Sequence, residues 1–147
     1  MIQRIQSLYL LLAAGAAVGT WFLDIFKATL SDDPVPKYFN AQSNFGVFVV
    51  YMLIVALAVF SIFLFKNRKL QLKLTVLNIF LAIGATALQY LKVQDFVNSL
   101  QAGGKVISSS TYLPGAFLPV LIIIFLFMAT RGIYKDEKLI KSLDRLR

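Results

Sequence analysis

The chain has 147 residues, 59% of them hydrophobic, and a formal charge of +8 from 15 Lys or Arg against 7 Asp or Glu. One domain fits that length, and the apolar share exceeds the roughly 45–50% of soluble domains. There is neither Cys nor His, which excludes disulfides, Cys- or His-based metal sites, cysteine nucleophiles and histidine bases.

Met1 to Arg4 is basic, and an apolar run follows from Ile5 to Leu23. With the small-x-small sequence Ala14-Gly15-Ala16 this has the form of a secretory signal. The run continues past that point to Leu23, longer than a usual signal core, so an uncleaved first span is expected. Gly15 and Gly19 form a GxxxG pair that lets another helix backbone come close. Packing inside a bundle is its expected use, and a dimer contact is the alternative. The next segment, Asp24 to Asn44, contains SDDPVPKYFN. Its Asp32 and Asp33 fall far short of a calcium loop.

The second apolar run is Phe45 to Phe65, bulky and without a clear polar face. Lys66 to Lys73 is basic with no acid, and the third run spans Leu74 to Leu91. Within it Thr75, Asn78, Ala82, Ala85, Thr86 and Gln89 recur at steps of three and four, so they share one helix face. An amide in hydrocarbon is costly without partners, so this face should point into the bundle. Asn78 is expected to bond to Gln6, Ser7 or a backbone carbonyl. The alternative is a thin polar lining for a solute.

Lys92 to Tyr112, with QAGGKVISSS, reads as a polar, flexible loop. The fourth run, Leu113 to Thr130, opens with TYLPGAFLP. Pro114 fits a first helical turn, where its missing N–H has no intrahelical partner. Pro119 is expected to kink the helix and leave the carbonyl of Gly115 free, with the glycine easing the crowding. The basic tail from residue 131 to 147 reads as an amphipathic helix. Leu139, Ile140, Leu143 and Leu146 share a face, with Arg145 and Arg147 largely off it. Such a helix suits anionic headgroups or a partner subunit.

Each apolar run has 18 to 21 residues, about 27–32 Å of helix, which matches the hydrocarbon thickness of a bilayer. The fold expected is therefore all-α: an integral membrane bundle of four spans (5–23, 45–65, 74–91 and 113–130) within residues 1–130, followed by the tail. Eleven Lys or Arg flank one side, in the N-terminus, the second loop and the tail, against four on the other. The positive-inside rule then puts both termini in the cytoplasm, as an even number of spans requires. The excess charge is a topology and headgroup signal, and no nucleic-acid partner is expected.

No span interior holds Asp, Glu, Lys or Arg. Proton relays, ion-coupled transport and intramembrane hydrolysis need such groups, or a nucleophile with a base. The expectation is a protein without enzymatic activity, cofactor or metal: an accessory or scaffold subunit beside other membrane subunits, in protein export or membrane biogenesis. The alternative is a small carrier or channel for a neutral or lipid-like solute.

The stretches MIQRIQSLYLLLAA, YLPGAFLP and KDEKLIKSLDRLR carry a resemblance. They are similar to a family of small four-span membrane proteins, largely from Bacteroidota, classed as a domain of unknown function. The resemblance implies a bacterial inner-membrane location and brings no activity with it.

Overall fold

The computed structural model of the chain describes residues 2–102, 104 and 106–144; at 2–4, 141, 143 and 144 it describes the backbone alone. Four helices run α1 (Ile2–Phe22), α2 (Phe45–Phe63), α3 (Arg68–Gln101) and α4 (Leu118–Asp144). All four are long and apolar enough to cross a membrane. They form a ring in chain order, α1 against α2 and α4, and α3 against α2 and α4.

The seam of each helix follows one rule. The seam positions are Gln6, Leu10, Ala13, Ala17 and Thr20 on α1; Val47, Tyr51, Ile54, Ala58 and Ser61 on α2; Gln71, Thr75, Asn78, Ala82, Ala85 and Gln89 on α3; and Ile122, Leu126, Ala129, Ile133 and Asp136 on α4, all buried, with Ala14 and Val93 buried beside them. The steps alternate four and three. That spacing suits helices crossing at about 20°, as in most four-helix bundles. Between 28% and 33% of the residues in each span are buried in the bundle, so the rest of an apolar surface faces outward.

Asparagine starts two of the helices. The Asn44 side chain accepts from the N–H groups of Gly46 and Val47 at the start of α2, and the Asn67 side chain from Leu70 at the start of α3. Each satisfies N–H groups that have no partner within the helix.

The two long loops at one end of the bundle are not loops. They form a three-stranded antiparallel sheet, β1 (Phe26–Leu30), β2 (Lys37–Phe39) and β3 (Ile107–Tyr112), in the order β2-β1-β3. The all-α expectation therefore holds for the four helices and misses this sheet. β1 alternates buried Phe26, Ala28 and Leu30 with the part-exposed Lys27 and Thr29. That is the period of a half-buried strand. On the neighbouring strand, Phe39 of β2 meets Phe96 of α3 at 5.5 Å between ring centroids. Ile25, fully buried, donates to Phe39 O at 2.8 Å and accepts from Leu113 N at 3.0 Å. One residue thus ties the exit of α1 to both neighbouring chain segments.

The sheet also explains the length of α3. Its 34 residues measure about 51 Å, some 20 Å more than a hydrocarbon core. The extra turns, beyond residue 91, carry Val93, Phe96, Val97 and Leu100 into or against the hydrophobic core, which includes Phe26, Ala28 and Phe39 of the strands. The polar segment expected to be a flexible loop from Lys92 is therefore helix to Gln101 and strand from Ile107. At the other end, the described part of the tail continues α4 without a break.

Candidate functional site

The stripe read on α3 is buried except at Thr86, which is half-buried, and it bonds to α2. Three hydrogen-bonded rungs join the two helices. Tyr51 donates its hydroxyl to Gln89 Oε1 at 2.6 Å, Asn78 Nδ2 donates to the carbonyl of Ile54 at 3.1 Å, and Gln71 Nε2 donates to the carbonyl of Ser61 at 2.9 Å. Of the partners expected for Asn78, the backbone carbonyl is the one found. Thr75 and Thr86 donate to the carbonyls one turn back, Gln71 and Ala82, as hydroxyls in helices commonly do. Asn78 Oδ1 and Ser61 Oγ are buried with no partner among the described residues.

Gly15 and Gly19 part company. A Cβ at Gly15 would meet nothing within 4 Å, whereas one at Gly19 would lie 3.3 Å from Leu118 Cδ1. Gly19 belongs to the seam with α4. Gly15 is exposed on the outward face, so bundle packing does not use it.

The proline segment differs from its expected form. Pro114 to Phe117 is a turn of 3-10 helix, and α4 begins at Leu118. Pro119 is then the second α-helical residue, and the expected kink is a change of helix type before α4. Gly115 has a separate reason to be glycine. A Cβ there would lie 2.5 Å from the carbonyl oxygen of Asp24 and 2.8 Å from that of Leu23. The start of α4 rests directly on the backbone that leaves α1.

A polar cluster at the end opposite the sheet is absent from the sequence reading. Asp136, 5% exposed, accepts from Gln6 Nε2, and Arg68 Nη1 lies 3.5 Å from the same oxygen. Gly132 makes room, since a Cβ on it would stand 2.9 Å from Gln6 Cγ. The signal was available. Ala129, Ile133 and Asp136 continue the four-three spacing of α4 beyond residue 130, where the apolar run stops. Leu139 and Ile140 of the expected partner or lipid face are exposed at 47% and 41%. The Leu143 side chain, Arg145 and Arg147 lie outside the described residues.

Two clefts stand at the sheet end. One, of about 410 Å³, lies beside the α3 extension and is lined by Phe39, Ser43, Asn44, Lys92, Asp95 and Phe96. Its two charges pair with each other across 2.9 Å. The other, of about 300 Å³, lies between α3 and α4; Gln89, Tyr90 and Val93 line one wall, and Ala116, Phe117 and Val120 the other. Among the described residues no group of three or more acidic side chains is placed to hold a metal ion.

The chain belongs to the family described as a domain of unknown function (DUF4293), which it matches over residues 2–146. No curated protein and no solved structure matches the chain.

Proposed function

We propose that the protein is a non-catalytic subunit of a bacterial inner-membrane assembly, whose four spans hold a small extracytoplasmic sheet against a partner. The charge distribution supports the orientation: the basic second loop, N-terminus and tail lie at the end opposite the sheet, which the positive-inside rule assigns to the cytoplasm. That end would also meet anionic headgroups.

The observation that carries the reading is β3. It is paired on one side only among the described residues, to β1. Ser108, Ser109, Ser110, Thr111 and Tyr112 are all exposed, on both strand faces. The strand has no charge and no proline within it. Sheet edges are ordinarily protected by such residues, and an unprotected edge is a template for one more strand. A partner's extended segment added there would gain main-chain hydrogen bonds. A bulge at Ser108, where the pairing steps from Thr29–Ser109 to Leu30–Ile107, limits the usable edge to its C-terminal half.

The experiment is capture of the tagged protein from native membranes in mild detergent, with mass spectrometry of what accompanies it. Ser109→Pro and Ser110→Pro form an internal control, because successive N–H groups of a strand point to opposite edges. One substitution removes a bond to β1 and destabilises the sheet. The other removes a donor on the free edge. That second variant is expected to keep wild-type thermal stability and lose the partner. Recovery of the wild-type protein as a lone monomer counts against the whole reading.

A further inference from the structure

We propose that the cleft between α3 and α4 at the sheet end is a binding site for one acyl chain of a membrane lipid, whose ester carbonyl accepts a hydrogen bond from Gln89 Nε2. The inference rests on the bundle spanning a bilayer, and it is independent of any partner at β3.

The shape comes first. Thr86, Gln89, Tyr90 and Val93 line the cleft from α3. They occupy positions i, i+3, i+4 and i+7, a single stripe about 10 Å long at 1.5 Å per residue. The cleft volume, about 300 Å³, is at the lower bound of ligand pockets, enough for part of a chain. Its rim is exposed and apolar: Tyr90, Phe117 and Val120 show 57%, 63% and 50% of their surface. On a span, an apolar rim opens to lipid.

The polar group comes next. Gln89 is 5% exposed. Its Oε1 is committed to the hydroxyl of Tyr51, itself 1% exposed and fixed within α2. The amide is planar, so anchoring one end orients the other. The Nε2 donors have no partner among the described residues. Unlike Asn78 Oδ1 and Ser61 Oγ, Nε2 is not one of the fully enclosed side-chain atoms without a partner, so it keeps access to the cleft, where a ligand acceptor can take its bond.

Charge then selects the acceptor. No Lys, Arg, Asp or Glu lines this cleft. A carboxylate or phosphate would have no counter-charge, whereas a neutral carbonyl needs none. Depth selects the molecule that brings it. Gln89 lies two residues before the end of the apolar part of α3, beside Tyr90, and Tyr112 stands opposite at the entry to α4. Aromatic belts mark the boundary of the hydrocarbon. A lipid places its ester carbonyls at that boundary, with the chain running toward the bilayer centre alongside Thr86 and Val120.

The test uses the full chain in nanodiscs of equal parts ester-linked and ether-linked phosphatidylcholine with the same chains, the latter lacking the carbonyl. Lipid retained on the protein after release is counted by native mass spectrometry. In a parallel sample, trace phosphatidylcholine with a diazirine in the acyl chain maps the contact. The expected result is one retained lipid, enriched in the ester form about two- to tenfold, the range of a single net hydrogen bond. Labelling is expected to concentrate on residues 86–93 and 116–120. Filling the cleft with Ala116→Phe, or from the exposed rim with Val120→Trp, should abolish retention with the Tyr51–Gln89 pair intact. Equal retention of ester and ether forms would overturn the role of Gln89, and no variant is needed to see it. Labelling spread evenly over the four helices would overturn the cleft while still reporting insertion; absence of labelling on every helix would overturn the insertion reading beneath both.

Discussion

Replacing Gly115 by alanine tests whether the junction between the sheet and the bundle is as tight as it looks. Local propensity and packing give opposite signs here. Gly115 is not among the positive-φ glycines, so its backbone accepts alanine, and helical propensity alone would make the change favourable by up to about 1 kcal/mol. Packing opposes it. The added carbon would lie 2.5, 2.8 and 2.9 Å from the oxygen of Asp24, the oxygen of Leu23 and the carbonyl carbon of Asp24. All three are backbone atoms, so no side chain can swing aside. Overpacking by small groups costs about 1–3 kcal/mol; three fixed contacts put this case near ~3 kcal/mol. The net expectation is a destabilisation of roughly 2 kcal/mol. Thermal or denaturant unfolding in a fixed detergent measures it. Gly15→Ala is the control, since nothing lies within 4 Å of its new methyl, and it should be neutral or slightly stabilising. If Gly115→Ala were as stable as wild type, the argument that α4 is seated on the backbone leaving α1 would be wrong.

Tyr51→Phe removes the 2.6 Å bond to Gln89 and should destabilise by about 0.6–1.7 kcal/mol, the range for hydrogen bonds between membrane helices. In a double-mutant cycle with Gln89→Leu the second change should then cost less than it does alone. Asp136→Ala is expected to lose about 1–3 kcal/mol, because it strands Gln6 in the seam. Asp136→Asn, which can still accept from Gln6, should lose less, and added salt should change neither much because the Arg68 pair is partly exposed and contributes little. Asn78→Leu removes one bond to Ile54 O and also one acceptor with no partner. It should stay within about 1 kcal/mol of wild type, and a large loss in the same unfolding assay would show that the amide holds something more than α2.

The four long apolar helices were legible because length and apolarity are local properties. The sheet was not. β1 and β3 lie some eighty residues apart, and neither ISSSTY nor KYF has the hydrophobic alternation that marks a strand alone. FKATL does alternate, but five residues flanked by turns are ambiguous without a partner. α3 shows the same limit from the other side. Its polar turns beyond Leu91 read as loop when judged by membrane criteria, yet Phe96 packs there on Phe39 of β2 and Leu100 against the core, contacts that a single segment does not reveal. The proline segment failed for a related reason. The kink was argued from Pro119 and its own helix, whereas Gly115 answers to Asp24, ninety-one residues away.

Inside the spans, what marked the seam was not hydrophobicity. Most positions are apolar enough for lipid, so a period in hydropathy carries little information about which face is inward. Small and polar residues do, because they are the ones lipid does not favour and close helix contact does. On α3 that logic identified Thr75, Asn78, Ala82 and Gln89, and all are buried. Applied equally to the other helices it would have selected Gln6, Ala13, Ala17 and Thr20, then Tyr51, Ala58 and Ser61, then Ala129 and Asp136, each at the four-three spacing. Gly15 is one of several exceptions, with Ala56 on α2 and Gly84 on α3: a small residue on the α1 face that points away from the seam, with neighbours Leu8, Leu11 and Leu12 exposed beside it. The same rule that places Asn78 inside leaves Gly15 unexplained by the bundle alone.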